Sequence, residues 1–154
     1  MKRAPAWRPA ESATANARLV LPEMLRNYFA AGRKLDSDSA ANAMHSFRLK
    51  TKHLRYTLEA FVSIYGPGLK QKIDSLRPIQ NALGDLNDCE VLLAELSKKI
   101  PHAVRAHIKK RAGEKHKEFL RYWRETFDAA DEDKKWVQYL TRSARMKPIK
   151  RKRF

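Results

Sequence analysis

The chain has 154 residues, 43% of them hydrophobic, which fits one globular domain and excludes a purely disordered basic tail. Thirty-three Lys and Arg against seventeen Asp and Glu leave a formal charge of +16, which calls for a polyanionic partner: nucleic acid, an acidic membrane or a phosphate polymer. Cys89 is the single cysteine, so no intrachain disulfide forms, and no run approaches the ~18 apolar residues of a membrane span. The basic start lacks the apolar core of a secretory signal, and the expected location is the cytoplasm.

Residues 1–11 carry Arg3, Trp7, Arg8, Pro5 and Pro9 without periodicity and read as a flexible basic arm. A first helix is expected from about Ser12 to Lys34, with Leu21, Leu25, Tyr28 and Phe29 as its buried stripe. Pro22 should kink that helix or begin its regular part, and Gly32 weakens its end. Asp36, Ser37, Asp38 and Ser39 supply N-cap candidates for a second helix over residues 39–65, which Gly66-Pro67-Gly68 stops. A third helix is expected over 69–98, bent near Asp74 because Pro78 has no amide hydrogen and clashes with the preceding turn. Pro101 starts a fourth helix to about Phe127, with Ile108, Ala112, Phe119, Trp123 and Phe127 along one side. Lys117, Arg121 and Arg124 lie on a different side and form a second basic stripe. An acidic turn over 129–133 leads to a short last helix with Trp136, Tyr139 and Leu140. From Thr141 onward there are seven Lys or Arg and no acid, the composition of a disordered tail. The expected fold is therefore all-α: a bundle of four long helices and a short C-terminal one, spanning 12–140 between the arm and a basic tail over 141–154.

The second helix carries the sharpest pattern. Phe47, Leu54, Leu58 and Phe61 fall within a band of about 60° when each residue turns by ~100°, while His45, Arg48, Lys52 and Arg55 fill a separate band of about 80°, nearly opposite. A surface helix stabilised by paired charges interleaves signs, and this ladder is almost purely cationic. Downstream, Gly84 lies in a helix interior at a cost of about 1 kcal/mol relative to Ala, most simply offset by a neighbouring helix packed close. Arg77, Gln80, Asn87 and Asp88 share roughly its face. Asp88 is expected to pair with a ladder arginine and aim it, and Glu59 to do the same for Arg55 one turn away.

Metal binding is not expected. None of the five histidines forms a His-x-x-x-His pair with an acidic third ligand, and Cys89 lacks a partner at finger spacing. With no Gly-rich nucleotide loop and no carboxylate cluster for Mg²⁺, a phosphohistidine role for His45 has little support, so neither enzymatic activity nor a cofactor is expected.

At these residues the chain resembles the CHAD domain family, the conserved histidine α-helical domain. The resemblance runs through His45-x-x-Arg48, Lys52, Leu54-Arg55-Tyr56 and Glu59-x-Phe61. It resumes at Leu76-Arg77-Pro78-Ile79-Gln80, Leu83-Gly84-Asp85 and Asn87-Asp88, and covers about residues 17–127. It implies an all-helical fold that binds inorganic polyphosphate on a basic surface, without established enzymatic activity. His45, Arg48, Lys52 and Arg55 are then expected at the centre of the polyphosphate site, with Arg77, Lys117 and Arg121 contributing and Glu59 and Asp88 behind them. Polyphosphate carries no bases, so Arg and Lys donors at helical rise suffice without stacking aromatics. Nucleic acid is the alternative partner, favoured by net charge and the basic tail. Against it stand the lack of a helix-turn-helix signature and the scarcity of aromatics outside core spacings, leaving a weak non-specific affinity. What binding accomplishes has three readings, granule targeting, regulation of an enzyme or scaffolding, and the first places the protein at polyphosphate granules in the cytoplasm. The family usually carries two helical halves where this chain has one, which suggests a homodimer that rebuilds the pair, or else a monomer with half the usual surface.

Overall fold

The computed structural model describes residues 5–96 and 98–142. The expected basic tail lies outside them from residue 143 onward. Seven α-helices follow in order: α1 (Ala13–Gly32), α2 (Ala41–Ala60), α3 (Val62–Tyr65), α4 (Pro67–Asp74), α5 (Arg77–Leu96), α6 (His102–Tyr122) and α7 (Glu132–Arg142), with a wide π-helical turn at Trp123–Phe127 after α6. Four of them are long, α7 is the short C-terminal helix, and no strand forms among the described residues.

Ser12 caps α1 by accepting a hydrogen bond from the Ala15 amide at 3.1 Å. The segment expected as a flexible arm has fixed partners over residues 5–11. The Arg8 amide donates to the Asn16 side-chain oxygen at 2.7 Å, and Asn16 Nδ2 donates back to the Arg8 carbonyl at 2.9 Å. Trp7 also stands 6.2 Å from the Phe61 ring. Pro22 does not begin α1; the helix runs through it. The end of α1 shows why position 32 is glycine: a Cβ there would overlap the indole of Trp123.

The expected second and third helices each divide in two. The second breaks at Phe61, which leaves helical geometry at φ −105° and ψ 5°, and Gly66 with φ 79° ends the short α3. The third breaks at Ser75 and Leu76, where bending alone was expected. Pro78 cannot donate to the Asp74 carbonyl, and its ring crowds that turn. The Asp36–Ser39 turn does not cap α2. Asp36 and Ser39 bond to each other, with the Asp36 amide donating to Ser39 Oγ at 2.9 Å, and Ala40 precedes α2 without a side-chain cap.

One core joins these helices. Tyr28 and Phe29 of α1, Phe47 of α2, Phe119 of α6 and Trp123 and Phe127 of the wide turn form a continuous aromatic cluster with neighbouring centroids 4.8–6.2 Å apart. Thr51 is fully buried and spends its hydroxyl hydrogen on the Phe47 carbonyl, so Tyr28 is the donor in the 2.9 Å bond between the two hydroxyls. Burial raises the Tyr28 pKa and keeps that phenol protonated. α7 closes the other end of the bundle. Tyr65 donates to the Leu140 carbonyl at 2.7 Å, and the Lys72 ammonium lies 4.8 Å from the Trp136 ring.

Candidate anion-binding groove

α2 and α5 run antiparallel, and each step down one is matched by a step back along the other. His45 meets Asn87 through a 2.7 Å hydrogen bond, and Arg48 and Lys52 then face Gly84 and Gln80 across a shared groove. Phe47, Leu54 and Leu58 are buried on the opposite side of α2, which is what turns the ladder outward.

The groove is lined by Arg48 and Lys52 on one wall and by Gln80, Asn81, Gly84, Asp85 and Asp88 on the other. Neither Arg48 nor Lys52 makes an ion pair among the described residues, so both charges are available to a ligand. Asp85 is occupied from the far side by Lys115 at 3.3 Å and Arg111 at 3.7 Å, which offsets its charge. Asp88 does not aim an arginine as expected, since no ion pair joins it to the ladder among the described residues. The side chain on α5 that orients a ladder residue is Asn87, one position earlier.

The Asn87 side-chain oxygen only accepts, so His45 Nδ1 carries the proton, and Nε2 of this exposed ring has no hydrogen-bond partner among the described residues. Neutral His45 therefore offers a lone pair outward, and only the imidazolium offers a second donor. Arg55 is held by Glu59, one turn on, at 2.6 Å, as expected, and its guanidinium lies 4.5 Å from the Tyr56 ring centroid. Its charge is partly committed.

Gly84 departs from its expected role. No atom outside its own helix comes within 4 Å of where its Cβ would be, so close helix packing is not the compensation. An amino acid without a side chain here leaves the α5 backbone open to whatever enters beside Arg48 and Lys52.

Three expected contributors lie elsewhere. Arg77, at the start of α5, is exposed and paired with Asp74 at 2.8 Å. Lys117 and Arg121 sit about 160° around α6 from the buried Phe119, outside the groove. The α6 cations that reach the groove wall are Arg111 and Lys115, which the sequence reading missed. Their i,i+4 spacing, off the Lys117 face, was the available signal. Among the described residues no three His, Cys, Asp or Glu gather as metal ligands, and no helix is long and apolar enough to cross a membrane.

An all-α bundle with a cationic ladder set against a Leu-Gly-Asp helix defines the class. The chain belongs to the CHAD domain family: the family model matches residues 1–97, well over half its length. The match takes in the arm and α1 to α5 but ends before α6, short of the 17–127 over which the resemblance was read. No curated protein and no solved structure matches the chain.

Proposed function

We propose that this protein is a non-catalytic module that holds linear inorganic polyphosphate in the α2–α5 groove. The observation that carries this reading is the pair of unpaired cations, Arg48 and Lys52, facing the open backbone at Gly84. Membership of a polyphosphate-associated family supports it. A phosphate chain presents oxygens all along its length, so its phosphates meet successive ladder residues as they rise by about one turn. Arg48 supplies a bidentate fork and Lys52 a point charge. His45 and Arg55 extend the line at either end, each fixed by its own partner. Binding in this form brings the protein to polyphosphate granules inside the cell.

Competition between polyphosphate and duplex DNA of equal total charge tests the reading. Polyphosphate should displace DNA readily, because the residues lining the groove offer donors to phosphate and no aromatic face to bases. Arg48→Ala combined with Lys52→Ala should weaken polyphosphate binding at least tenfold, since each charge-assisted hydrogen bond contributes ~1.5–3 kcal/mol before solvent screening. Unchanged affinity in the folded double variant, or preference for DNA, refutes it.

A further inference from the structure

The outward face of α6 takes no part in the groove and lies outside the family match. Lys109, Lys110, Lys117 and Arg121 are all exposed on it and make no ion pair among the described residues. At ~100° per residue they occupy a band of about 120° running some 18 Å along the helix. Arg124, exposed in the wide turn, continues the line past the end of α6. Lys117 and Arg121 are like charges at i,i+4, an arrangement that costs a helix a few tenths of a kcal/mol unless an anion relieves it.

The acids of α6 are segregated from these cations. Glu114 and Glu118 fall in an adjoining band about 40° wide, and beyond them come Arg111 and Lys115, the two residues that reach Asp85 on α5. Going around α6 from the groove, a ligand therefore meets an acidic edge before it meets the outward cations. At that edge a phosphate chain lying in the groove meets the carboxylate of Glu114 and a Glu118 already held by Lys115 at 2.8 Å, so the edge offers it no free cation. Residues small enough to expose helix backbone, Ala106 and Gly113, sit among the outward cations, and a Cβ at Gly113 would meet nothing within 4 Å.

We propose that this face is a second binding surface for linear phosphate polymers, so that one copy of the protein bridges two polyphosphate chains. The proposal rests on the groove reading and adds a distinct surface with a distinct consequence, cross-linking. Tail and net charge alone do not require it, because the two surfaces are separated by carboxylates of the same helix.

The experiment mixes two pools of long polyphosphate, end-labelled with donor and acceptor dyes, and adds the full chain at fixed salt. The wild type should produce energy transfer. A variant with Lys109, Lys110, Lys117 and Arg121 all changed to Gln should lose it about tenfold, yet bind short polyphosphate within about twofold of wild type. A control with Lys34, Lys50, Lys70 and Lys99 changed to Gln has the same net charge and should bridge like the wild type. Bridging that survives in the α6 variant, or is lost equally in the control, overturns the proposal. So does tight 1:1 binding of long chains by the wild type without energy transfer, which means that one chain wraps both surfaces. Failure of the wild type to bind short polyphosphate at all overturns the groove reading instead, and this proposal with it. Lysine acetylation of the unmodified protein gives a readout independent of variants: long polyphosphate should protect Lys110 and Lys117 and leave Lys34 reactive. Equal reactivity at all three sites contradicts the assignment.

Discussion

At the scale of single residues, His45 and Gly84 make opposite kinds of statement. The Asn87 bond fixes the His45 tautomer, so a phosphate oxygen at Nε2 requires the imidazolium. Replacing His45 by Ala should weaken polyphosphate binding in a direct titration and His102→Ala should leave it unchanged; an unaltered His45 variant assigns that end of the line elsewhere. Gly84 has room for a methyl group, so Gly84→Ala should stabilise the fold by roughly 0.5–1 kcal/mol in denaturant titrations. Gly84→Leu should instead block the groove and weaken binding without unfolding the protein. The ladder was legible in the sequence because helical phase is set by spacing alone. The role of Asn87 was not, because which of two adjacent polar residues turns toward α2 depends on how the helices pack.

Among the elements, one side chain at the end of α1 reaches both Asp128 and the first turn of α7. Arg33 donates to both oxygens of Asp128, at 2.6 and 2.8 Å, and to Asp133 at 2.9 Å, with its guanidinium 5.5 Å from the Phe29 ring centroid. The hydrogen bond from Arg33, helped by the Lys134 amide, holds the Asp133 carboxyl below the usual carboxylate range. A depressed carboxyl contributes stability that is present above its unfolded pKa of ~4 and disappears as pH falls through the lower folded value. Arg33→Ala should therefore lower the melting temperature at pH 7, by an amount matching about 1 kcal/mol for a half-exposed network. That deficit should shrink below about pH 4; a deficit independent of pH assigns the effect to lost packing on Phe29. This contact could not be read from the sequence, since its partners are about a hundred positions apart. The long helices could be read, and their caps less well: Asp36 and Ser39 are good cap residues that found each other first.

For the whole molecule, the two halves of the charge story separate by location. The match to the family ends at residue 97, and all of α6 with its unpaired cations lies beyond it. Binding in the groove should follow counterion release, with log affinity falling linearly in log salt. Removing Arg48 and Lys52 should reduce that slope by about 1.4, at ~0.7 per phosphate contact on a single strand. Isothermal titration of short polyphosphate across a salt series measures it, and an unaltered slope contradicts contact at those residues. The all-α architecture was legible because hydrophobic spacing near 3.6 persists through every long segment. The separation of Lys117 and Arg121 from the ladder was not, because a sequence gives the phase of residues within a helix but no rotation of one helix against another.

The wide turn at Trp123–Phe127 acts as a phase shifter between those rotations. Its closing bond runs from the Asp128 amide to the Trp123 carbonyl at 2.7 Å, five residues back where a regular helix needs four, so one residue is surplus to the winding. That surplus lets α6 keep its buried side against α5 while Asp128 and α7 address α1. Deleting the exposed Thr126 should restore regular winding and turn everything downstream by about 100°. Asp128 would swing away from Arg33, and the buried faces of Trp136 and Leu140 would lose their alignment with the bundle.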